Sequence, residues 1–398
     1  MAIRRVTFRL YPNKKQEQTL RYHRKLHKDL YNAAVYNRFT QYQKFAHKVD
    51  YFEQQNCLPA FKEVWIEYKE CNCMTLQATL KRVDYAFQRW FQGLGKRPKY
   101  KSIRHYSGWT YPSKTGWKIH TTGDNGYLEL AKIGSIQMRG MARAWGKPTT
   151  CTIVYRNGKW YASITVEIEE IKRATNVGAV GIDFGCKSAL AITDGENHDF
   201  VEAPKFLRKA DAKIKKLSQA KRRKTAPNRR KKQKGSSRWK KAQAKISKTT
   251  RKVANQRQNW VHQVASDIVR CNSFVATEKL EVTKMTARAK KGKRKQQKAG
   301  LNKSILDLGF GMLRSGIQYK VIEAGGVFVE VPTKKVKPSQ TCPKCGYQHK
   351  KTLDERVHQC KVCGLTMDRD LAAALVMLLW AQGKLPGFET SRANAPLR

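Results

Sequence analysis

Two Cys-x-x-Cys pairs near the C-terminal end place the tightest limit on how this chain folds. Cys342-Pro-Lys-Cys345 and Cys360-Lys-Val-Cys363 are each followed by glycine, Gly346 and Gly364, and 14 residues separate them. That is the spacing of two zinc knuckles delivering four thiolates to one tetrahedral ion. All four ligands come from the protein, which leaves no open position for a substrate, so a single structural Zn²⁺ is expected. A lone Cys-x-x-Cys is often a redox pair or a pair of surface thiols, whereas two at ribbon spacing rarely are. His349 and His358 lie between the pairs and are expected to face solvent. The remaining cysteines, Cys57, Cys71, Cys73, Cys151, Cys186 and Cys271, are scattered, which suits a metal protein in a reducing, cytoplasmic compartment better than a disulfide framework.

Charge sets the second limit. Lys and Arg number 81 against 30 Asp and Glu, leaving +51 at pH 7 over 398 residues. Self-repulsion on that scale calls for a polyanionic partner. The 40% hydrophobic and 10% aromatic content exceeds what a solvated polycationic tail carries, so a purely disordered basic protein is excluded. No apolar run reaches the roughly 18 residues that span a bilayer, and Met1 to Leu10 alternates charged and apolar residues, so neither a membrane protein nor an exported one is expected.

Along the chain, Val6, Phe8 and Leu10 predict a short strand ending at Pro12, and Asn13 with Gln16 forms a capping-box pattern that opens a helix. Helical spacing continues through Leu76, Leu80, Val83, Phe87 and Trp90, giving a helical region over 13–105. The period then changes to two, most clearly over 151–168, where alternating runs flank Asn157-Gly158, a hairpin turn. The first strand has no partner in the helical region and is expected to pair with these later strands, the helices forming an insertion. Val177 to Phe184 reads as a buried strand, and Ser188 to Thr193 returns from it. Between Arg208 and Lys252 there are 21 basic residues and one acid, Asp211, a polar, partly helical excursion. Strands are expected at 274–277 and 327–331, a mobile basic loop at 286–300, a helix capped by Ser304 with Asp307 and running to Gly325, and a last helix over 371–380.

Three acids occupy positions where acids are costly. Asp183 sits in an apolar strand, Glu278 follows Phe-Val-Ala-Thr, and Asp368-Arg369-Asp370 opens the last helix. A buried unpaired carboxylate is expensive, and a divalent metal both offsets the charge and explains why distant acids converge. Two Mg²⁺ ions about 4 Å apart, held by such carboxylates, support in-line phosphodiester displacement. Singly, each acid has a plainer account as turn acid, surface ion pair or helix cap.

Gly-Ile-Asp183-Phe-Gly, Ala-Thr-Glu278-Lys-Leu, Ser304-Ile-Leu-Asp-Leu-Gly-Phe-Gly, Ser339-Gln-Thr-Cys-Pro-Lys-Cys-Gly and Cys-Gly-Leu-Thr-Met-Asp368-Arg-Asp370, taken in order, resemble the TnpB family of transposon-encoded RNA-guided DNA endonucleases, relatives of the type V CRISPR effectors. The resemblance extends to the opening Phe-Arg-Leu-Tyr-Pro and to Leu76-Gln77. It implies an α/β multidomain chain: a wedge β-barrel from 1–12 plus 106–172 carrying a helical recognition insertion at 13–105, a RuvC-like RNase H fold from 173–337 plus 366–390, an inserted zinc ribbon at 338–365, and a tail at 391–398. It further implies a catalytic and Mg²⁺-binding set of Asp183, Glu278 and Asp370, with Asp368 the alternative to Asp370. The zinc ligands are Cys342, Cys345, Cys360 and Cys363, and Gln77 is a candidate reader of a base edge.

The partners so implied are a transposon-derived guide RNA and double-stranded target DNA bearing a short flanking motif, with a monomer favoured and the protein nucleoid-associated. The basic excess would then neutralise phosphates along a heteroduplex. The aromatics of Tyr106 to Trp117 suit core packing better than base stacking. One departure stands out: the family usually carries Asn two residues after the third acid, where this chain has Ala372. The rival readings are a guided binder that does not cut and a zinc-ribbon nucleic-acid-binding protein without catalysis.

Overall fold

Alternating burial at Phe8 and Leu10 builds β1 (Ala2–Tyr11) in the computed structural model, which describes residues 2–169, 177–228, 230–288, 295–352 and 354–388. Asn13 then caps α1 (Lys14–Phe45): its side chain accepts from the Gln16 N–H at 2.8 Å while the Gln16 side chain accepts from the Asn13 N–H at 3.0 Å. There follow α2 (Tyr51–Asn56), α3 (Leu58–Val64), a short 3₁₀ turn, and α4 (Cys73–Phe91). Arg38 of α1, buried, clamps this group with 3.1 Å bonds to Asp84 of α4 and a 3.0 Å bond to Gln54 of α2.

The chain then makes β2 (Gly108–Tyr111), β3 (Trp117–His120), β4 (Gly126–Leu130), β5 (Gly134–Arg139), β6 (Lys147–Arg156) and β7 (Lys159–Ile168). With β1 they form one antiparallel sheet in the order β2-β6-β7-β1-β5-β4-β3. The first strand lies against the last, from Ala2 opposite Ile168 to Leu10 opposite Trp160, so the helices are an insertion between β1 and β2. Asn157 and Gly158, at φ 55° and 77°, make the tight turn of the β6–β7 hairpin. Tyr106, Trp109, Tyr111 and Trp117 are buried, and Trp109 stacks on His27 at 5.3 Å. Each such side chain removed from water stabilises this unit by about 1.5–3 kcal/mol.

Contacts divide the chain into Met1–Ile171 and Lys172–Arg398. The second unit holds β8 (Gly178–Phe184), β9 (Ser188–Thr193), β10 (His198–Glu202), α5 (Phe206–Arg222), α6 (Ser237–Cys271), β11 (Asn272–Glu278), α7 (Val282–Met285), α8 (Lys295–Leu308), α9 (Phe310–Glu323), β12 (Val327–Val331), α10 (Thr333–Val336), β13 (Val357–Gln359), β14 (Thr366–Asp368) and α11 (Arg369–Ala381). Its main sheet runs β10-β9-β8-β11-β12, with β8, β11 and β12 parallel and β9 antiparallel to both neighbours. One face is covered by α6 and α9, through Val264, Ile268, Leu313 and Ile317 among others; the other packs on α11, through Val376 and Met377. No helix among the described residues is long and apolar enough to cross a membrane.

Three expectations need correction. The basic loop expected over 286–300 is helical from Lys295, because Lys-Gln-Gln-Lys-Ala is a run of strong helix formers; residues 289–294 lie outside the described set. Ser304 and Asp307 consequently sit inside α8 and open no helix. Gly309, at φ 72°, separates α8 from α9. Asp307 caps a different helix: its carboxylate accepts from the N–H groups of Leu207 and Arg208 at the start of α5 and pairs with Arg257 at 3.0 Å. The third correction is His358, which is fully buried where a solvent-facing ring was expected; its Nδ1 lies against the Lys351 ammonium. The expected boundary at 173 and the tail at 391–398 fall outside the described residues.

Candidate active site and metal centres

Strand alternation decides where the first two acids point. Val180, Ile182 and Phe184 of β8 face the core beneath α6 and α9, so Gly181 and Asp183 face α11. In β11, Val275 joins the α6 side and Ala276 the α11 side, which turns Glu278 toward α11 as well. The parallel register sets Ala276 beside Gly181 and Thr277 beside Ile182. One step further along, Glu278 comes level with Asp183 at the carboxyl ends of neighbouring strands, a spacing of about 4.8 Å between backbones.

Gly181 explains how the third acid arrives. A Cβ on it would lie 1.9 Å from the Ala374 carbonyl oxygen, so α11 rests directly on the strand and only glycine fits. Asp370 is one helical turn before Ala374, on the same face. The electrostatics agree with this placement: burial first, then the Glu278 and Asp370 carboxylates, push the Asp183 carboxyl well above its usual range, against the Phe184 N–H and Arg369, which pull it down. Burial raises Glu278 too. Repelling carboxylates of this kind are a ready site for a divalent cation. They are not drawn as tightly together as the thiolates below: among the described residues, the four cysteines are the group whose ligand atoms all lie within 4.8 Å of one another.

The two acids of the Asp-Arg-Asp step part company. Asp368 is exposed and caps α11, its Oδ1 accepting from the N–H groups of Asp370 at 2.8 Å and Leu371 at 3.2 Å. Arg369, which the sequence reading gave no role, lies against the acids. Its Nε is 3.6 Å from Asp370 Oδ1, and its guanidinium donates to the Thr352 carbonyl at 3.2 Å, tying the segment between the knuckles to the third acid. Its position between two acids was the available signal.

The knuckles repeat one another. Gly346 and Gly364, at φ 73° and 69°, donate to the carbonyls of Cys342 and Cys360 at 2.9 and 3.0 Å; those cysteines donate in turn to Tyr347 and Leu365, both at 2.9 Å. Sγ separations are 3.5 Å for Cys342–Cys363 and for Cys345–Cys360. A tetrahedron of thiolates about 2.3 Å from a zinc ion has edges of about 3.8 Å, so the donor set fits that ion. His349 is half-buried, and neither it nor His358 belongs to the cluster.

Elsewhere, α5 has no buried residue, leaving its lysines and arginines on the surface. Gln77 is half-buried on α4 beside the fully buried Leu76.

Comparison with known proteins covers both centres. The family described as "Probable transposase" matches residues 163–289, which include Asp183 and Glu278, and the "Cas12f1-like, TNB domain" family matches 310–377, which include the four cysteines, Asp368 and Asp370. An Escherichia coli (strain K12) protein named "Putative RNA-guided DNA endonuclease InsQ" is 26% identical over 403 residues, spanning 98% of this chain and 95% of that protein. These matches bear out the resemblance to the TnpB family. A second relative, a "Putative RNA-guided DNA endonuclease" from Streptomyces pristinaespiralis, is 28% identical and spans 97% of this chain and 93% of its own length. Among solved structures, a Cas12f1–sgRNA–target DNA complex aligns at TM-score 0.35 and 12% identity, over 95% of this chain and 99% of that one. CasPhi-2 (Cas12j) bound to crRNA aligns at 0.42 and 10%, over 98% and 99%.

Proposed function

We propose that this chain is a transposon-encoded, RNA-guided DNA endonuclease that hydrolyses double-stranded target DNA at one RuvC-like site formed by Asp183, Glu278 and Asp370. The observation that carries the reading is the level register of Asp183 and Glu278 on parallel strands, facing the helix that carries Asp370. A structural sheet has no use for two raised carboxyls on one face. In this reading the five-stranded sheet is the RNase H core, the seven-stranded sheet is the wedge domain, and α1 to α4 form the recognition insertion, where Gln77 reads a base edge near the target.

Asp183, Glu278 and Asp370 would hold two Mg²⁺ ions, and bound magnesium supplies a nucleophilic water at neutral pH and charge stabilisation at the scissile phosphate. Arg369 keeps Asp370 aimed and moderates the repulsion among the acids. Cys342, Cys345, Cys360 and Cys363 would hold one structural Zn²⁺, anchoring the segment that feeds directly into α11. The lysines and arginines of α5 and α6 neutralise phosphates and carry no sequence information, so target choice falls to pairing between guide and DNA. Such a chain works in the cytoplasm, as a monomer on nucleic acid.

The nucleic acid that copurifies with the native protein tests the class. A discrete structured RNA ending in a variable segment is the expected result. A heterogeneous RNA population would instead favour a zinc-ribbon binder without a guide.

A further inference from the structure

The ends of α1 and α4 enclose a cleft of about 450 Å³ within the first unit, inside the roughly 300–1,000 Å³ range of small-ligand sites. Its walls are aromatic. Phe39 packs on Phe87 at 5.2 Å and edge-on to Trp90 at 6.3 Å, Trp90 lies nearly parallel to Phe91 at 5.0 Å, and Tyr42 adds a fifth ring. Core packing accounts for Phe87, which is buried, but not for Phe91 and Tyr42, which are 73% and 57% exposed.

The rest of the lining is basic or neutral: Arg38, Lys48, Arg97, Gln43 and Val49, with no acid. Arg38 is already paired with Asp84. Arg97 lies over the Phe39 ring at 4.3 Å, and among the described residues neither it nor Lys48 has a carboxylate within salt-bridge distance.

We infer that this cleft receives one unpaired nucleotide, its base stacked against Phe91 and Tyr42 and its phosphate held by Arg97 and Lys48. The apolar ring faces call for a flat ligand, the two cations for an anion, and the +51 net charge for a polyanion that supplies both. A base inside a duplex has both faces covered by its neighbours and cannot enter. Gln43, with an amide donor and acceptor, would meet the base edge and confer a preference. The unpaired strand is RNA or DNA, and the assignment needs only a nucleic-acid partner, so it stands or falls independently of cleavage at the carboxylates.

The test uses the full chain with short ribo- and deoxyribo-oligonucleotides carrying a single 2-aminopurine, whose fluorescence is quenched by stacking, and a duplex carrying the same analogue. Phe91→Leu with Tyr42→Leu keeps apolar bulk at two exposed positions and removes both π faces; circular dichroism confirms folding. The expected result is quenching of at least one single-stranded probe by the native chain, weakened on the order of tenfold in the double variant, with duplex binding unchanged. Quenching of the ribo probe alone assigns the cleft to RNA, and of the deoxyribo probe alone to an unpaired DNA strand. Arg97→Ala should flatten the salt dependence of the same signal. Unchanged quenching of both strands in the double variant would overturn the assignment, as would an equal loss of duplex binding or displacement of the probe by polyglutamate at matched ionic strength.

Discussion

The two units bury polar groups under their sheets in opposite ways. In the first, His27 sits stacked on Trp109 with its Nδ1 2.9 Å from Thr79 Oγ1, and the buried cation Arg38 is matched by the carboxylate of Asp84 and the amide of Gln54, so the charge is answered within the chain. In the second, Asp183 and Glu278 face each other and Asp370 across the sheet end, and four thiolates converge between the knuckles. Those groups are of one sign and cannot satisfy one another. Self-sufficient burial marks a scaffold, and burial that leaves like charges together marks a place kept for cations.

The largest expected break in that contrast comes from zinc. Structural zinc contributes on the order of 10 kcal/mol to folding its site, so chelation or Cys342→Ser should strip hydrogen-exchange protection from the ribbon and the start of α11 while leaving the first unit's sheet protected. Native protein that contains no zinc by metal analysis would refute the assignment.

Next in size is Asp183→Ala, which should reduce guided cleavage to background while RNA and target binding persist, since binding rests on Lys and Arg contacts. A variant that still cuts in Mg²⁺ would show the site to be wrong.

Acid should separate the units by sign. Burial lowers His23 from 6.5 to about 4, so the native state binds fewer protons than the unfolded chain between those values. The first unit keeps this stability above pH 6.5 and loses it as pH falls through the window, in total about 3 kcal/mol. Asp183 has the opposite shift: its metal-free form is most stable below its ordinary range and loses stability as pH rises through the raised value. Hydrogen exchange on metal-free protein at pH 7 and pH 4.5 should therefore show the first sheet weakening and the α11 face strengthening on acidification. A parallel change in both would mean that burial is handled alike.

Much of this contrast was legible in the sequence because it depends on local rules. Two knuckles announce themselves by spacing, Asn13 and Gln16 by their cap, and the β6–β7 hairpin by Asn157-Gly158. That β1 pairs with the later strands followed from an edge that needed a partner, though not that β7 and β5 are its neighbours. What escaped were contacts made across long separations. Asp307 looked like a local cap and instead caps α5 from a hundred residues away. Nothing adjacent to His358 signals its burial, which arises from the fold of the ribbon around it. Arg369 and the fit of α11 on Gly181 likewise emerge only when helix and strand meet.

The smallest expected effect is the sharpest, because it divides two neighbours of identical chemistry. Asp368 spends its carboxylate on two free N–H groups at the start of α11, at the positive end of the helix, and faces solvent. Asp370, two residues on, is part-buried beside Arg369 and raises Asp183, so it belongs to the repelling set. Asn is itself a good cap, so Asp368→Asn should lower stability by about 1 kcal/mol or less, with guided cleavage retained; Asp368→Ala should cost more of the cap. Asp370→Asn removes a charge that a cation would need, so it should end Mg²⁺-dependent cleavage and relieve repulsion on Asp183, raising the melting temperature of the metal-free protein at neutral pH. Melting and cleavage measured on the same preparations read both roles at once. An active Asp370→Asn beside a folded but inactive Asp368→Asn would exchange the two residues and move the third acid of the site to the helix cap.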